Sequence, residues 1–567
     1  MRVTHKKTRS PKKKPSSAGL WRKLQAAGEK ASTLELASAF ILTGFAIVLH
    51  WNFFRNAGAL WRDEASCIAL ALQPSLGDIL LRLQYDTYPI LPSLIFRFLG
   101  AFGLGESDTG LRLVGLLVGL AVTGAFWLNA RLFKHNIPML GLVLTGMTVS
   151  VIRTSDAIRP YGIGILLSLI CFGMIWLVAS APTRIRTLMA YCAGILMVQC
   201  LYQNIFILLS LCVSGAAVCL MRGSVRRAAV IAGIFVAAAL SMAPYFPMRN
   251  EIQDWSQLYS VPVSIKTFLI SAATVLQSPS GPMIFVWGLV GCVGLIRAVM
   301  LISVKDNAEN ECSHDGALYS LLVLVTAVAG YAAFLAWAAI YPRPWHYVSL
   351  VVIIAQCLDV ITGQGGRLRL LRLGAAITVL VLFGTAAWQQ TSIRQTNIDR
   401  AAAKLNADSR KQDLVLVYPW YMGVSFRRYY SGKAPWISIP PLEDLSIHRW
   451  DLVKKRMAEQ NPLLDAFSRA QRTLKAGGTL WVVGILPKMG HGQQLKSIPP
   501  APRSATGWIY FPYEHHWGLQ MLLHVRNMVN DYGVVQLDTD QAVMPYEDIM
   551  IEYYRPDPPP KAVPARG

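Results

Sequence analysis

Two carboxylates stand side by side at Asp63 and Glu64, inside Trp61-Arg62-Asp63-Glu64-Ala65, and a third, Asp86, follows in Asp86-Thr87-Tyr88-Pro89-Ile90-Leu91. Adjacent carboxylates repel each other's charge, so at least one holds its proton more tightly, which suits a base for a hydroxyl group. Arg159, in Asp156-Ala157-Ile158-Arg159-Pro160-Tyr161, and Arg343, in Arg343-Pro344-Trp345-His346-Tyr347, are of the type that grips phosphate oxygens with two parallel hydrogen bonds. The same residues have a plainer reading. An acidic pair is often just exposed in a loop, here beside Arg62. Arginines at a membrane face snorkel to lipid head groups, His346 reads first as an interfacial histidine, and Tyr161, Trp345 and Tyr347 fit an aromatic belt.

The elements that position these residues follow from composition. The 567-residue chain is 53% hydrophobic and only 15% charged, with a mean hydropathy of +0.39. That excludes disorder, collagen-like order, a disulfide scaffold and a single water-soluble globule. Lys plus Arg number 54 against 32 Asp plus Glu; in so apolar a chain the excess marks the cytoplasmic rims of membrane spans rather than nucleic-acid binding. The expected fold is an α-helical integral membrane protein of about 11 transmembrane helices, in the bacterial inner membrane, with amphipathic outer-surface helices in the first loop. The spans are Leu36–Leu49, Gly110–Ala130, Ile137–Ile152, Gly162–Ala179, Thr187–Leu201, Ile205–Leu220, Ala228–Pro247, Met283–Ile302, Ala317–Ile340, Tyr347–Ile361 and Gly374–Trp388.

Residues 1–33 form a basic leader, expected to be disordered and cytoplasmic. Ala57 and Ala59 after the first span resemble a cleavage site, but so long a basic leader argues against a signal peptide. Loops after even-numbered spans carry Arg131 and Lys134, Arg184 and Arg186, Arg222, Arg226 and Arg227, Lys305, and Arg367, Arg369 and Arg372. Loops after odd-numbered spans carry the acids, including Asp63, Glu64, Asp78, Asp86, Glu106, Asp108, Asp156, Glu251 and Asp254. The basic set marks the cytoplasmic side, which holds only if Pro89–Gly103 is an amphipathic helix at the outer surface and not a further span. Residues 34–390 are thus a membrane domain with a first outer loop at 55–109. Residues 391–567 have ordinary charge density and alternate β-rich runs (Leu414–Tyr418, Trp436–Ile439, Thr479–Ile485, Ile549–Tyr554) with helix-like stretches (Trp420–Tyr430, Arg449–Lys475, Leu519–Asn530), the pattern of a soluble extracytoplasmic α/β domain that frays in Pro556–Pro560.

In their order, these motifs resemble the polytopic glycosyltransferases of the GT-C class, in the group around the protein O-mannosyltransferases and the lipid A aminoarabinose transferase. The matching series is Asp63-Glu64-Ala65, Asp86-Thr87-Tyr88-Pro89-Ile90-Leu91 through Gly103, Leu111-Arg112-Leu113, Ala130-Arg131-Leu132-Phe133, Asp156 to Tyr161, and Arg343 to Tyr347. Tyr88 and Ile90 depart from the common His and Pro, and Ile158 is inserted between acid and arginine. The resemblance implies transfer of a sugar from a polyprenyl-phosphate donor to a lipid, glycan or protein acceptor, with inversion. It implies Asp63 as base and Glu64 as the group that orients the acceptor or steadies Asp63. Asp86, Arg159, Tyr161, Arg343, His346 and Tyr347 would bind donor or substrate, with Asp86 open as a ligand for a divalent metal cation. A lipid-linked glycan ligase or polymerase, and a transporter or flippase, are the alternatives.

Other clusters carry less. Glu514-His515-His516 is consecutive rather than spaced like a zinc site and is expected on a surface strand or loop. Asp359, near the inner end of its span, should pair or face water. Gly363-Gln364-Gly365-Gly366 is a hinge lacking the context of a phosphate loop. The nine Cys are scattered.

Overall fold

The computed structural model describes residues 17–105, 107–256, 258, 264–303, 311–338, 343–363, 368–489, 495, 497–501 and 509–556. Glu106, Lys305, Arg367, Gln364-Gly365-Gly366, the leader before residue 17 and the end after Pro556 lie outside the described residues. The chain is a helical membrane protein with a small sheet toward its C-terminal end. Among the described residues eight helices are long and apolar enough to cross a bilayer: Ser32–Asn56, Asp108–Leu132, Pro160–Ser180, Asn204–Met221, Met283–Ser303, His314–Ala338, Pro344–Gly363 and Arg369–Thr391. The opening helix begins at Ser17, so residues 17–33 are helical backbone and not the disordered segment expected there.

Three of the expected spans take another form. Ala228–Pro247 is bent by 41° between Val225–Leu240 and Ala243–Ser256; Pro244, with no amide hydrogen to continue the ladder, accounts for the break. Ile137–Ile152 is two short helices, Met139–Gly146 and Val149–Asp156. Every residue of the first is buried, so this run is apolar because it lies inside the bundle, a case periodicity cannot tell from a lipid-facing helix. Thr187–Leu201 falls in a 17-residue helix, Arg184–Cys200, at the lower limit of the roughly 17–25 residues of a span.

Two acids inside the bundle are paired with histidines. His50 meets both oxygens of Asp156 at 2.8 and 2.9 Å, and Gly119 makes room, since a Cβ there would stand 1.9 Å from Asp156 Oδ1. Asp359 pairs as expected: it takes His135 Nε2 at 2.8 Å and the amides of Leu140 and Gly141 at 2.9 and 3.0 Å.

The first loop folds as helices Arg62–Ala71, Leu76–Arg82 and Leu91–Ala101. The last has 11 residues, too few to cross a bilayer. It buries Pro92 and Phe96 and exposes Leu94, Phe98 and Phe102, the one-sided apolar surface expected of Pro89–Gly103. Arg97 in its middle is satisfied by the carbonyls of Gln73 and Pro74.

Five strands, β1 (Leu414–Val417), β2 (Trp436–Ser438), β3 (Leu480–Val483), β4 (Asp531–Val535) and β5 (Ile551–Arg555), form a sheet of order β2-β1-β3-β5-β4. β1 runs parallel to β2 and β3; β5 runs antiparallel to β3 and β4. Alternate residues serve opposite cores, as the strand period requires. Leu414, Leu416, Leu480 and Val482 pack toward helices Trp450–Met457, Leu464–Lys475 and Phe511–Arg526, whereas Val415, Val417 and Val483 pack toward Ile398–Asp408 and Met422–Tyr429. This unit rests on the first loop. Arg428 binds Asp108 at 2.8 Å, the Tyr429 hydroxyl donates to Asp108 at 2.6 Å and accepts the Leu60 amide at 2.7 Å, and Arg82 binds Asp444 at 2.9 Å.

Candidate active site

Asp63 and Glu64 occupy the first turn of helix Arg62–Ala71, where the helix dipole favours negative charge. Neighbours on a helix lie about 100° apart, so the two side chains diverge. Glu64 turns inward and is completely buried. Arg112 grips both its oxygens, at 2.7 and 2.8 Å, Ile158 donates its amide to Oε1 at 2.9 Å, and the Trp61 amide reaches Oε2 at 3.3 Å. With its acceptor positions taken up by Arg112, Ile158 and Trp61, Glu64 ties the first loop to two other segments, a structural role beside the expected one of orienting an acceptor or steadying Asp63. Truncating it in Glu64→Ala leaves Arg112 buried without a counter-ion, which should cost on the order of 3–5 kcal/mol and lower the thermal unfolding midpoint in detergent. A substrate-orienting Glu64 would leave that midpoint unchanged.

Asp63 faces the other way, its side chain 23% exposed. Its Oδ1 lies 3.5 Å from Arg62 Nε and 4.0 Å from His448 Nδ1, and Arg159 donates to its backbone carbonyl at 3.1 Å. Burial pushes its proton affinity up, but the charges of Arg159 and Arg62, with Arg343 contributing, outweigh burial and hold the carboxyl below its ordinary range. The mutual repulsion expected of Asp63 and Glu64 is therefore not what tunes Asp63. The carboxyl that does hold its proton more tightly is Asp86: burial raises its proton affinity, Arg159 and the Thr87 amide, at 2.7 Å, only partly offset this, and the charge on Asp63 adds to it.

Arg159 is the centre of the cluster. It is 7% exposed, acts on both Asp63 and Asp86, and lies over the rings of Tyr88 and Tyr161 at 5.5 and 5.9 Å. Pro160 opens the helix behind it, which fixes Arg159 as an extended residue at the helix start. Arg343 and His346 arrive at the start of helix Pro344–Gly363, where the Arg343 amide meets His346 Nδ1 at 3.3 Å and Trp345 packs edge-on to Trp61 at 6.2 Å. No protein-family model matches the chain, and neither does any curated protein. Tyr347, expected beside them, is instead fully buried in the helix core, with Phe268 at 5.3 Å and Tyr331 at 6.3 Å. The helical period turns it away from the side that His346 presents.

The sequence motifs did not reveal the contribution of the C-terminal unit. His448 stands beside Asp63, its amide donated to Ser66 Oγ at 3.2 Å. Burial pushes its imidazole down to about 4, against the pull of Asp63, so it is neutral at pH 7. Glu547 lies 3.6 Å from Arg62 Nε, and Tyr421 stacks under the Arg62 guanidinium at 4.4 Å while its hydroxyl reaches Glu514 Oε1 at 3.4 Å. Glu514 and His516 sit on helix Phe511–Arg526 rather than on a strand or loop. These residues lie hundreds of positions from Asp63, and no spacing rule links them to it.

Among the described residues no three His, Cys, Asp or Glu converge as a metal-ligand set. Asp86 meets the charges of Arg159 and Asp63 and the amide of Thr87, so the site does not fit a divalent cation held by Asp86. The arrangement provides an ionised carboxylate for proton removal and a buried guanidinium for an anionic group, within one cluster.

Proposed function

We propose that this chain is an integral-membrane glycosyltransferase of the GT-C type. It moves a sugar from a polyprenyl-phosphate donor to an acceptor at the outer, periplasmic face of a bacterial inner membrane. Asp63 takes the proton of the acceptor hydroxyl as the new bond forms at the anomeric carbon. The bond from that carbon to the phosphate oxygen breaks on the opposite face, giving inversion, and the released phosphate faces Arg159 with Arg343 behind it. Asp86, Tyr161 and His346 line the donor side. One observation carries the reading: Asp63 and Asp86 of the first loop meet Arg159 and Arg343 from two other segments at one end of the helix bundle, Arg159 acting on both carboxylates and Arg343 on Asp63. A lipid-borne donor would reach that end with its tail still in the bilayer.

Crossing parity supports a common side for the first loop and the C-terminal unit. The C-terminal unit is bonded to the first loop through Arg428, Arg82 and His448, so an even number of crossings separates them. The eight long helices alone place seven between the two, an odd number. Counting the bent pair Val225–Ser256, the broken pair Met139–Asp156 and helix Arg184–Cys200 makes ten, or eleven with the opening helix, and restores the match. Reporter fusions at Gln390 and after Pro556 should both read periplasmic; a cytoplasmic signal at either breaks this count.

A transporter would hold open polar groups near the bilayer midplane, whereas the bundle's internal acids Asp156 and Asp359 are bonded to histidines and backbone amides. The direct test incubates protein in nanodiscs with synthetic polyprenyl-phosphate hexoses and pentoses and measures polyprenyl phosphate release. Release with at least one donor supports the reading. Turnover only of lipid-diphosphate glycans would make it a ligase or polymerase, and no turnover of either would remove the enzymatic reading.

A further inference from the structure

Two buried carboxylates of the C-terminal unit that face this cluster are short of hydrogen-bond donors, although Tyr421 reaches Glu514 Oε1 and the Arg62 charge stands near Glu547. Glu547 is 4% exposed, and among the described residues neither of its carboxylate oxygens has a hydrogen-bond partner. Glu514, 9% exposed, leaves Oε2 in the same condition. A buried carboxylate oxygen without a hydrogen-bond donor is costly, and such groups in a native fold call for an explanation. Burial pushes both up to about 7, so near neutral pH each gains from a ligand that supplies N–H or O–H groups.

Their position says which ligand. Arg62 Nε stands 3.5 Å from Asp63 Oδ1 and 3.6 Å from Glu547 Oε1, so a single guanidinium separates the proposed base from the unsatisfied carboxylate. Tyr421 carries the line on, under Arg62 and against Glu514. The phosphate of a donor has only acceptor oxygens to offer here and belongs on the Arg159 side. What remains beside Asp63 is the partner whose hydroxyl is deprotonated.

We propose that Glu547 and Glu514, with Tyr421 and Arg62, form the acceptor subsite, and that the acceptor is a carbohydrate presenting free hydroxyl or amino groups and no acid group. This rests on the transferase reading for the name acceptor, though the sugar site itself does not need it. It assigns the C-terminal unit acceptor recognition in addition to covering the first loop. Hydroxyl or ammonium groups would satisfy the orphan oxygens, while an acidic sugar would be repelled by two carboxylates.

The test uses the full chain in nanodiscs at pH 8 and saturation-transfer NMR on two sugars with the same ring, D-glucosamine and D-glucuronate. Glucosamine should saturate and glucuronate should not. Glu547→Gln, which keeps shape but removes charge, should weaken glucosamine about tenfold or more, the loss of one hydrogen bond to a charged group. Glu514→Gln should act in the same direction and serves as the second variant if the first fails to purify as a monodisperse protein. Equal saturation by both sugars, glucosamine binding indifferent to both variants, or calcium binding abolished by Glu547→Gln would overturn the proposal. Protein that turns over polyprenyl-phosphate donors yet shows no glucosamine saturation would keep the transferase reading and remove this subsite.

Discussion

Purified Asp63→Asn protein should insert and fold like the wild type and transfer sugar from a polyprenyl-phosphate donor at least about 10³-fold more slowly, within the range that a positioned general base supplies. The substitution keeps the volume of a side chain that is only partly buried and leaves the Arg159 contact to the Asp63 carbonyl intact, so a loss of rate is not a loss of fold. The expected pH profile is specific. A base must be ionised, and Arg159 and Arg62 hold the Asp63 carboxyl below its ordinary range against the effect of burial. At saturating acceptor, where binding by Glu547 and Glu514 no longer limits, the wild-type rate should therefore stay level through neutral and mildly acidic pH and fall only below about pH 4, the ordinary aspartate range. An acid limb near pH 6 or 7 that persists at saturating acceptor would point to a different base, of which Glu547 and Glu514 titrate there. Near-normal transfer by the Asn variant would take the base role from Asp63 altogether.

How much of this was visible beforehand divides along physical lines. Long apolar runs with charged loops are read from one dimension, and the helices around Gly110–Ala130, Gly162–Ala179 and Met283–Ile302 lie close to where the sequence put them. Two runs take a form that hydropathy alone does not give: Met139–Gly146 is interior to the bundle and breaks before Val149–Asp156, and Thr187–Leu201 lies in a helix of only 17 residues. In the C-terminal unit four strands follow their β-rich patterns, while β4 was missed because its residues are exposed or half-buried, with Gly533 in its middle. Arg449–Lys475 splits into two helices at Asn461-Pro462, since a proline disfavours helix in the residue before it. For the site, adjacency in sequence was the wrong measure. Asp63 and Glu64 look like a pair, yet the helical period sends one to the cluster and the other to Arg112. Conversely His448, Glu514 and Glu547 become neighbours of the first loop only through the docking of the sheet unit, a tertiary event without a local signal.

Arg159 is where a structural and a chemical role can be separated. Arg159→Ala should lower transfer by about 10²–10³-fold, the usual loss when a charge-stabilising donor is removed. It should also move the acid limb of the remaining activity upward. The sign follows from the cluster: Arg159 is the largest influence lowering the proton affinity of Asp63, so without it Asp63 holds its proton to higher pH and the ionised base appears later as pH rises. Asp86 moves the same way, because Arg159 is also what chiefly offsets its burial. Arg159→Lys retains the charge without the planar fork. It should restore the wild-type position of the acid limb while recovering only part of the rate, since a lysine neutralises Asp63 but cannot span two phosphate oxygens. A residue that merely snorkelled to lipid head groups would show neither the shifted limb nor its rescue by lysine, and its alanine variant would transfer at close to the wild-type rate across the whole pH range.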